Sequence, residues 1–471
     1  MQYIETFLNE FSKFMWGTPL VILMVGGGLF FMFFSGFMPY KHFGHAFGII
    51  RGKYSDEHDQ GDISHYQALA TALSGTLGLG NITGVAVAIT VGGPGAIFWM
   101  WVTAVVGVAT KFFTASLAIM YRGKDSLGHL QGGPMYVIRE GMSKRWLPLA
   151  YLFAIAGLFG ILPSFQINQL VQTLREVFAI PAGLATTEEH FNFDLITGII
   201  LSLGIFSIVI GKIHRIAQVT SKVVPFMVIF YFIMTIFVLV SNHSALLPML
   251  KLIVTDAFQG GYVAESYLNN NAVFGGALGA VIILGVQRGA FSNEAGIGTE
   301  SLAHGAAKTN KPTREGLVAM IGPVVDTLIV CTCTALAILV TGVWHGDATG
   351  VTLTTQAFEQ VFPGYGQYLL TIMIFFLSTS TVLTFWYYGS KCAGFLFGAD
   401  KEEYYVWFYC ALIVVGAVSS LKAVLGLFDG MYALMAIPTM ISTLVLAPKV
   451  MQAARAYFKD FKQHKFEKTT L

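Results

Sequence analysis

Long apolar stretches recur along the whole chain, and the short connections between them carry most of the charged residues. Each stretch is close to the roughly 20 residues that a helix needs to cross a bilayer. Two further stretches, 125–142 and 243–268, are too short or too mixed to span, and we expect interfacial helices or caps there. The pattern predicts eleven membrane-spanning helices, at 18–37, 66–90, 94–121, 147–172, 193–211, 217–241, 272–303, 316–343, 366–391, 402–420 and 426–450.

The distribution of Lys and Arg predicts the orientation. If the N-terminus is outside, 22 of the 28 Lys and Arg residues fall in connections on the inner side and 4 on the outer side. Inner connections of membrane proteins carry such an excess of Lys and Arg. We therefore predict an all-α polytopic membrane protein with its N-terminus outside and its C-terminus inside, in a cytoplasmic membrane of the bacterial type.

The ten spans after the first divide into two blocks of five. An odd number of spans in each block inverts the second block relative to the first, which makes an inverted-topology repeat with one peripheral N-terminal helix. The predicted parts are a first helix with its cytoplasmic connection at 1–64, a first repeat at 65–241, an extracellular connection at 242–271, a second repeat at 272–450 and a basic cytoplasmic tail at 451–471.

The composition agrees with this architecture. Of the 471 residues, 55% are hydrophobic and 11% are charged, whereas soluble domains average about 25% charged residues. No large soluble domain is left to place between the spans. The sequence contains neither an HExxH motif nor a nucleophile elbow, and its four cysteines lack metal or disulfide spacing. An intramembrane enzyme is therefore not expected.

The first span of the first repeat contains four glycines within ten residues, Gly75, Gly78, Gly80 and Gly84. Each glycine weakens a helix by about 1 kcal/mol relative to alanine, so we predict a break at mid-membrane. Freed carbonyls can bind a cation, and freed N–H groups can bind a carboxylate. The alternative is close helix packing through Gly80 and Gly84, but packing alone does not require Asn81 between them.

The first span of the second repeat is interrupted over 285–292, where a second break is predicted. Arg288 lies near the centre of this span and should face the interior beside a partner, for which Asp326 is a candidate. Glu294 suits the positive end of a new half-helix, although a structural ion pair or cap around the break is the alternative. Asp429 heads the last span and is a candidate for a gate.

Four hydroxyl side chains follow one another at 378–381 in the span 366–391. Hydroxyl oxygens are suitable ligands for Na⁺, and carbonyls from a broken helix would complete the coordination shell. The alternative is that they bond to the carbonyl four residues earlier in their own helix. Gln166 and Asn168 could face the same cavity, and Lys111 is expected to extend toward the inner membrane surface.

Several motifs together resemble the alanine or glycine:cation symporter family. The resemblance implies a leucine-transporter-type fold and cation-coupled uptake of a small amino acid. The residues that carry it are Gly75-Thr76-x-Gly78-x-Gly80-Asn81-Ile82-Thr83-Gly84-Val85-Ala86, Gln166-x-Asn168, Arg288-Gly289-x-Phe291-Ser292-Asn293-Glu294-Ala295-Gly296 and Tyr387-Tyr388-Gly389.

The first motif also resembles the first core helix of the neurotransmitter:sodium symporters. That resemblance implies Asn81 as one sodium ligand. It places a second sodium on four further residues, namely the carbonyls of Ser74 and Leu77 and the hydroxyls of Ser380 and Thr381. A substrate-facing position falls on Phe385, where the alanine or glycine symporters commonly have Trp nearby; here Trp386 is the next residue.

These observations lead to a hypothesis of Na⁺-coupled symport of alanine or glycine by alternating access, with Na⁺ as coupling ion and no cofactor. The substrate carboxylate would bind N–H groups at the first break, and its ammonium group would meet carbonyls or side chains of 285–292. The predicted substrate contacts are Gly78, Gly80, Asn81, Gln166, Gln287, Phe291 and Phe385. Coupling to H⁺, a preference for glutamine or serine, and an ion channel are the alternatives. We expect the substrate, Na⁺ and lipid as partners, and we expect no nucleic-acid partner.

Overall fold

The computed structural model describes residues 2–56, 58–264 and 276–463, and these are mostly helical. Residues 265–275, where the predicted connection 242–271 meets the second repeat, lie outside the described residues. The last part of the predicted tail, 464–471, also lies outside them. Two short strands, Gly123–Lys124 and Leu130–Gln131, pair antiparallel in the connection that follows the third predicted span.

Helices make up nearly all regular structure. Up to the predicted end of the first repeat they are Gln2–Met15, Thr18–Val21, Ile22–Gly26 (π), Gly27–Phe34, Met38–Lys41, Phe43–Ile50, His65–Thr76, Leu79–Asn81 (3₁₀), Thr83–Gly92, Gly95–Met120, Pro134–Gly141, Lys144–Trp146 (3₁₀), Leu147–Gly160, Ser164–Leu174, Arg175–Ala179 (π), Phe191–Val209 and Lys212–Ser241. The remainder are His243–Gln259, Gly276–Asn293, Glu300–His304, Pro312–Ala319, Ile321–Pro323, Val324–Cys331 (π), Thr332–Thr341, Val343–His345 (3₁₀), Gly350–Val361, Gly366–Phe397, Ala399–Lys401 (3₁₀), Glu402–Val418 and Leu421–Lys462.

Seven helices in the described ranges are long and apolar enough to cross a bilayer, or nine spans if each of two bent helix pairs counts as one. The other two predicted spans correspond to Gly276–Asn293, which starts beside undescribed residues, and to Glu402–Val418, which has 17 residues. Within the described residues, every predicted span therefore overlaps one helix or a series of successive helices. The count of eleven, the orientation and the division into two repeats remain predictions.

The first broken helix comprises His65–Thr76, the 3₁₀ turn Leu79–Asn81 and Thr83–Gly92, and its two arms are bent by 56°. It begins at a capping box: Ser64 Oγ accepts from the Gln67 N–H at 3.2 Å, and Gln67 Oε1 accepts from the Ser64 N–H at 3.0 Å. The predicted interruption among the glycines is thus present as a change of direction within the span.

The second broken helix comprises Gly276–Asn293 and Glu300–His304. Its break lies at 294–299, so the prediction of a break over 285–292 is wrong. The glycines of that earlier stretch serve close packing instead, since a Cβ atom at Gly285 would lie 2.5 Å from the Ala96 carbonyl oxygen. The chain turns where Glu294, Gly296 and Gly298 have φ values of 55°, 87° and 96°.

The two broken helices are tied together at one end. The Lys308 N–H donates to the Ile63 carbonyl at 2.7 Å, which pairs the chain before the first broken helix with the chain after the second. Glu315 hydrogen-bonds His65 and lies 2.6 Å from Nδ1 of His304. All three side chains are buried. We call this group the histidine clamp (His65, His304 and Glu315).

Candidate substrate and cation site

The first break is held open by side chains that replace missing helical hydrogen bonds. The Gly78 N–H donates to Asn81 Oδ1 at 3.0 Å, and the Leu79 N–H donates to Gln166 Oε1 at 3.0 Å. A Cβ atom at Gly78 would lie 2.7 Å from Thr381 Oγ1, so only glycine fits at this close approach. Gln166 reaches the break as predicted, and its oxygen binds backbone there.

Three of the five predicted sodium ligands meet at one place, whereas the Ser380 hydroxyl donates to the Leu377 carbonyl of its own helix at 3.1 Å. Thr381 Oγ1 lies 2.9 Å from the Ser74 carbonyl oxygen and 3.5 Å from that of Leu77. The Ser74 hydroxyl donates to the Ser380 carbonyl at 2.8 Å. All of these side chains are buried. The arrangement puts carbonyl and hydroxyl oxygens of the first broken helix against helix Gly366–Phe397.

Asn81, the fifth predicted ligand, belongs to a separate polar cluster. Its Nδ2 donates to Asp326 and lies 3.3 Å from the Ser292 hydroxyl, which also donates to Asp326. Asn293 joins the same cluster by donating to Thr327 Oγ1 at 3.1 Å. The Asp326 atom Oδ2 is buried without a partner among the described residues. A buried carboxylate with a free oxygen is a suitable feature for a cation site.

Arg288 pairs with Asp429, and the suggestion of Asp326 as its partner is wrong. The Arg288 Nη2 atom lies 2.7 Å from Asp429 Oδ2, and Arg288 is only 7% exposed. Gln287, a predicted substrate contact, donates to the same oxygen at 3.0 Å. The indole of Trp16 donates to the Asp429 carbonyl at 2.8 Å. The second broken helix is therefore linked to the last helix, Leu421–Lys462, by a buried ion pair.

Aromatic rings pack against the first break at Gly80. A Cβ atom at Gly80 would lie 2.9 Å from the ring of Phe291, whose centroid is 4.8 Å from that of Phe428. Phe385 stacks on the same Phe428 ring at 6.0 Å. Phe165 meets Phe291 edge-on at 5.4 Å. Phe291 and Phe385 are predicted from the sequence, whereas Phe165 and Phe428 are not. Phe165 directly precedes Gln166 and Phe428 directly precedes Asp429, and both of those neighbours are candidate residues in the sequence.

Two buried carboxylates stabilise the second break. Glu294 accepts from the Thr299 hydroxyl at 2.5 Å and from the Tyr432 hydroxyl at 2.7 Å. Glu300 accepts from Thr114 at 3.0 Å. Hydroxyl donors thus contact both carboxylates, and Glu294 lies in the turn itself, six residues before the next helix begins at Glu300.

Lys111 is buried in the interior, and the expectation that it extends to the membrane surface is wrong. The residue is 1% exposed. A Cβ atom at Gly322 would lie 3.1 Å from its Nζ. The glycine therefore provides the space that the lysine side chain occupies.

Two helices broken inside the membrane region, with hydroxyls, carbonyls and aromatic rings around the first break, define a secondary transporter of the leucine-transporter type. The solved structure of MhsT in complex with L-phenylalanine has this fold. It matches with a TM-score of 0.52 at 13% sequence identity, and the match covers 84% of this chain and 88% of that chain. This likeness shows the fold.

The chain belongs to the sodium:alanine symporter family, whose family model matches residues 1–470. The sodium/alanine symporter AgcS of Methanococcus maripaludis is 38% identical over 455 residues, which are 96% of each chain. The probable sodium/glutamine symporter GlnT of Bacillus subtilis is 32% identical over 470 residues, 98% of this chain and 93% of the relative. The resemblance is confirmed, and the protein is a multi-pass amino-acid:cation symporter rather than an enzyme.

Proposed function

We propose that this symporter couples the uptake of a small neutral amino acid, alanine or glycine, to Na⁺ in a bacterial cytoplasmic membrane. The observation that carries the proposal is the convergence of the Ser74 and Leu77 carbonyls with the Thr381 hydroxyl at a helix break that also packs against an aromatic ring. The Ser380 carbonyl joins them by accepting from the Ser74 hydroxyl. Oxygen ligands suit a hard cation, and bulky rings limit the volume left for a substrate side chain.

The first sodium would bind between the two helices that Thr381 joins. In this structure the Thr381 hydroxyl lies 2.9 Å from the carbonyls of both Ser74 and Leu377, the latter in its own helix, and 3.5 Å from that of Leu77. A sodium ion at this place would take those carbonyls as ligands, and the hydroxyl would turn its lone pairs to the ion. Binding would then fix the two helices relative to each other, because the ion is shared by both.

A second sodium would bind at Asn81, next to Asp326. Asn81 Oδ1 now accepts from the Gly78 N–H. If that oxygen turned to the ion, the Gly78 N–H would keep only its 2.9 Å contact with the Thr76 carbonyl and could turn to a substrate carboxylate. The N–H groups of Gly80 and Asn81 would bind the same carboxylate, and that of Asn81 would have to leave the Gly78 carbonyl, to which it donates at 3.2 Å. Ion and substrate binding would then be coupled through a single side chain. The negative charge of Asp326 would favour the cation.

The substrate ammonium group would lie toward the second broken helix, within reach of carbonyls of 285–292 or of Gln287. Gln287 is held by Asp429 in this structure. A small side chain would contact Phe291 and Phe385, which pack against the break through Phe428. Larger side chains would have to displace these rings.

Transport by alternating access requires contacts that open in turn on the two sides of the site. The Arg288–Asp429 pair joins the second broken helix to the last helix, and the histidine clamp joins the two broken helices at the other end. Under the predicted orientation the first would act outside and the second inside. Na⁺ would drive uptake by binding the outward-open state more tightly than the inward-open state.

Counterflow of each of the twenty amino acids into proteoliposomes, in Na⁺ and in choline, tests the proposal. We expect saturable exchange of alanine and glycine that requires Na⁺. Exchange that follows a pH gradient without Na⁺ would favour H⁺ coupling, and selective exchange of glutamine or serine would replace the proposed substrates. Flux that does not saturate with substrate would indicate a channel.

A further inference from the structure

A crevice of about 370 Å³ is lined by residues that belong to neither break. It lies between the turn that joins Phe191–Val209 to Lys212–Ser241, the second half of helix Gly366–Phe397, and the start of Glu402–Val418. Sites for small molecules usually occupy about 300–1,000 Å³. We call this opening the lateral crevice, and we define it by Trp386, Lys391, Glu402, Lys212, Glu403 and Trp407.

One end of the lateral crevice carries both signs of charge. Lys391 Nζ lies 3.3 Å from Glu402 Oε2, and Lys212 Nζ lies 3.6 Å from Glu403 Oε1. The first pair is largely shielded from solvent and the second lies at the rim. Two ammonium groups beside two carboxylates match a ligand that itself carries an anionic and a cationic group.

An indole donor lies in the wall of the same crevice. Trp386 is 7% exposed, and its Nε1 is buried without an acceptor among the described residues. Buried donors are almost always hydrogen-bonded in native proteins. An oxygen of a phosphate or an ester group would satisfy this donor if the indole ring turned its Nε1 toward the crevice.

Other residues that line the crevice are apolar and exposed. Trp407 is 64% exposed and Ile210 is 59% exposed. The rings of Phe206 and Trp407 lie 5.0 Å apart. In a multi-pass membrane protein such outward-facing apolar groups meet acyl chains. The predicted topology places Lys212 and Lys391 in inner connections, and basic pockets between helices on the cytoplasmic side are suited to lipid head groups.

We propose that the lateral crevice binds the head group of a phospholipid that carries a phosphate and a primary ammonium group, as phosphatidylethanolamine does. The phosphate would contact Lys391 and the Trp386 indole, and the ammonium group would donate to Glu402. The acyl chains would lie along Trp407. The site is independent of the substrate and cation sites, because its residues contribute to neither.

Native mass spectrometry of the purified full-length chain in detergent, titrated with single lipids, measures this binding directly. Phosphatidylethanolamine should bind at least about fivefold more tightly than phosphatidylcholine, whose quaternary ammonium cannot donate hydrogen bonds, and than phosphatidylglycerol, which has no cation. Lys391→Met and Trp386→Phe should each weaken phosphatidylethanolamine binding, the former by about tenfold or more because it removes a charge-assisted contact.

Trp146→Phe is the matched control, because Trp146 is an exposed tryptophan that does not line the crevice. It should leave lipid affinity unchanged. If Lys391→Met does not fold, Trp386→Phe and Glu402→Gln test the same site with smaller changes. Equal affinity for the three lipids would overturn the proposal, as would a preference for phosphatidylethanolamine that survives all the crevice variants.

Discussion

Thr381→Val is the most informative change at the cation site, because valine keeps the shape of threonine and removes only the hydroxyl. The hydroxyl lies 2.9 Å from the Ser74 carbonyl and 3.5 Å from the Leu77 carbonyl, so all three groups could bind one sodium ion as ligands. A hydrogen bond or polar contact to a charged group contributes about 1.5–3 kcal/mol. Loss of that contact should weaken Na⁺ binding by about tenfold to a hundredfold.

The assay is alanine counterflow in proteoliposomes as a function of Na⁺ concentration. The Na⁺ concentration for half-maximal exchange should rise in Thr381→Val, and exchange should recover when Na⁺ is raised further. Thr381→Ser, which retains the hydroxyl, should stay close to the unchanged protein. Such recovery separates a weakened ion site from a misfolded protein, which no amount of Na⁺ would restore.

Thr379→Val provides a matched control on the same helix. The Thr379 hydroxyl donates to the Phe375 carbonyl at 2.6 Å, within its own helix and away from the break. This variant should have the Na⁺ dependence of the unchanged protein. The reasoning is refuted if Thr381→Val also shows unchanged Na⁺ dependence, or if both variants are impaired to the same extent.

Three further changes test the break, the ion pair and the aromatic wall. Gly80→Ala should abolish most exchange, because its methyl group would lie 2.9 Å from a ring carbon of Phe291. Gly84→Ala should be tolerated, because its methyl group would lie 3.9 Å from the same ring. Equal effects of the two variants in the counterflow assay would favour the packing alternative. Asp429→Asn should lower the free energy of unfolding by about 3–5 kcal/mol, because it leaves Arg288 buried without its counter-charge; an unchanged thermal unfolding temperature would contradict this. Phe428→Ala should admit larger substrates, so that glutamine competes with alanine uptake; unaltered competition would show that the ring does not limit substrate size.

The meeting of Ser74, Leu77 and Thr381, which we propose as cation ligands, could be predicted from sequence because it depends on local features. The glycines around Gly78 weaken one helix, and the hydroxyls of Ser380 and Thr381 are recognisable in another. The resemblance to the neurotransmitter:sodium symporters then implies that these two helices share one sodium ion. The structure brings these residues together. Backbone carbonyls need no particular side chain, so the role proposed for Leu77 rested on the resemblance alone.

Contacts that depend on how helices are aligned with one another could not be predicted. Asp326 and Asp429 are both acidic residues within predicted spans, and only the packing of the last helix places Asp429 beside Arg288. The position of the second break could not be predicted for a related reason. A glycine such as Gly285 allows either a break or a close approach to a neighbouring helix, and its pattern in the sequence is the same for both.

The central claim is that alanine or glycine moves together with Na⁺. Counterflow of radiolabelled alanine, measured in Na⁺ and in equimolar choline on the same proteoliposome preparation, tests it most directly. The account predicts saturable exchange in Na⁺ and background exchange in choline, with glycine as an effective competitor. Equal exchange in the two media, or exchange on which neither alanine nor glycine has any effect, would contradict it.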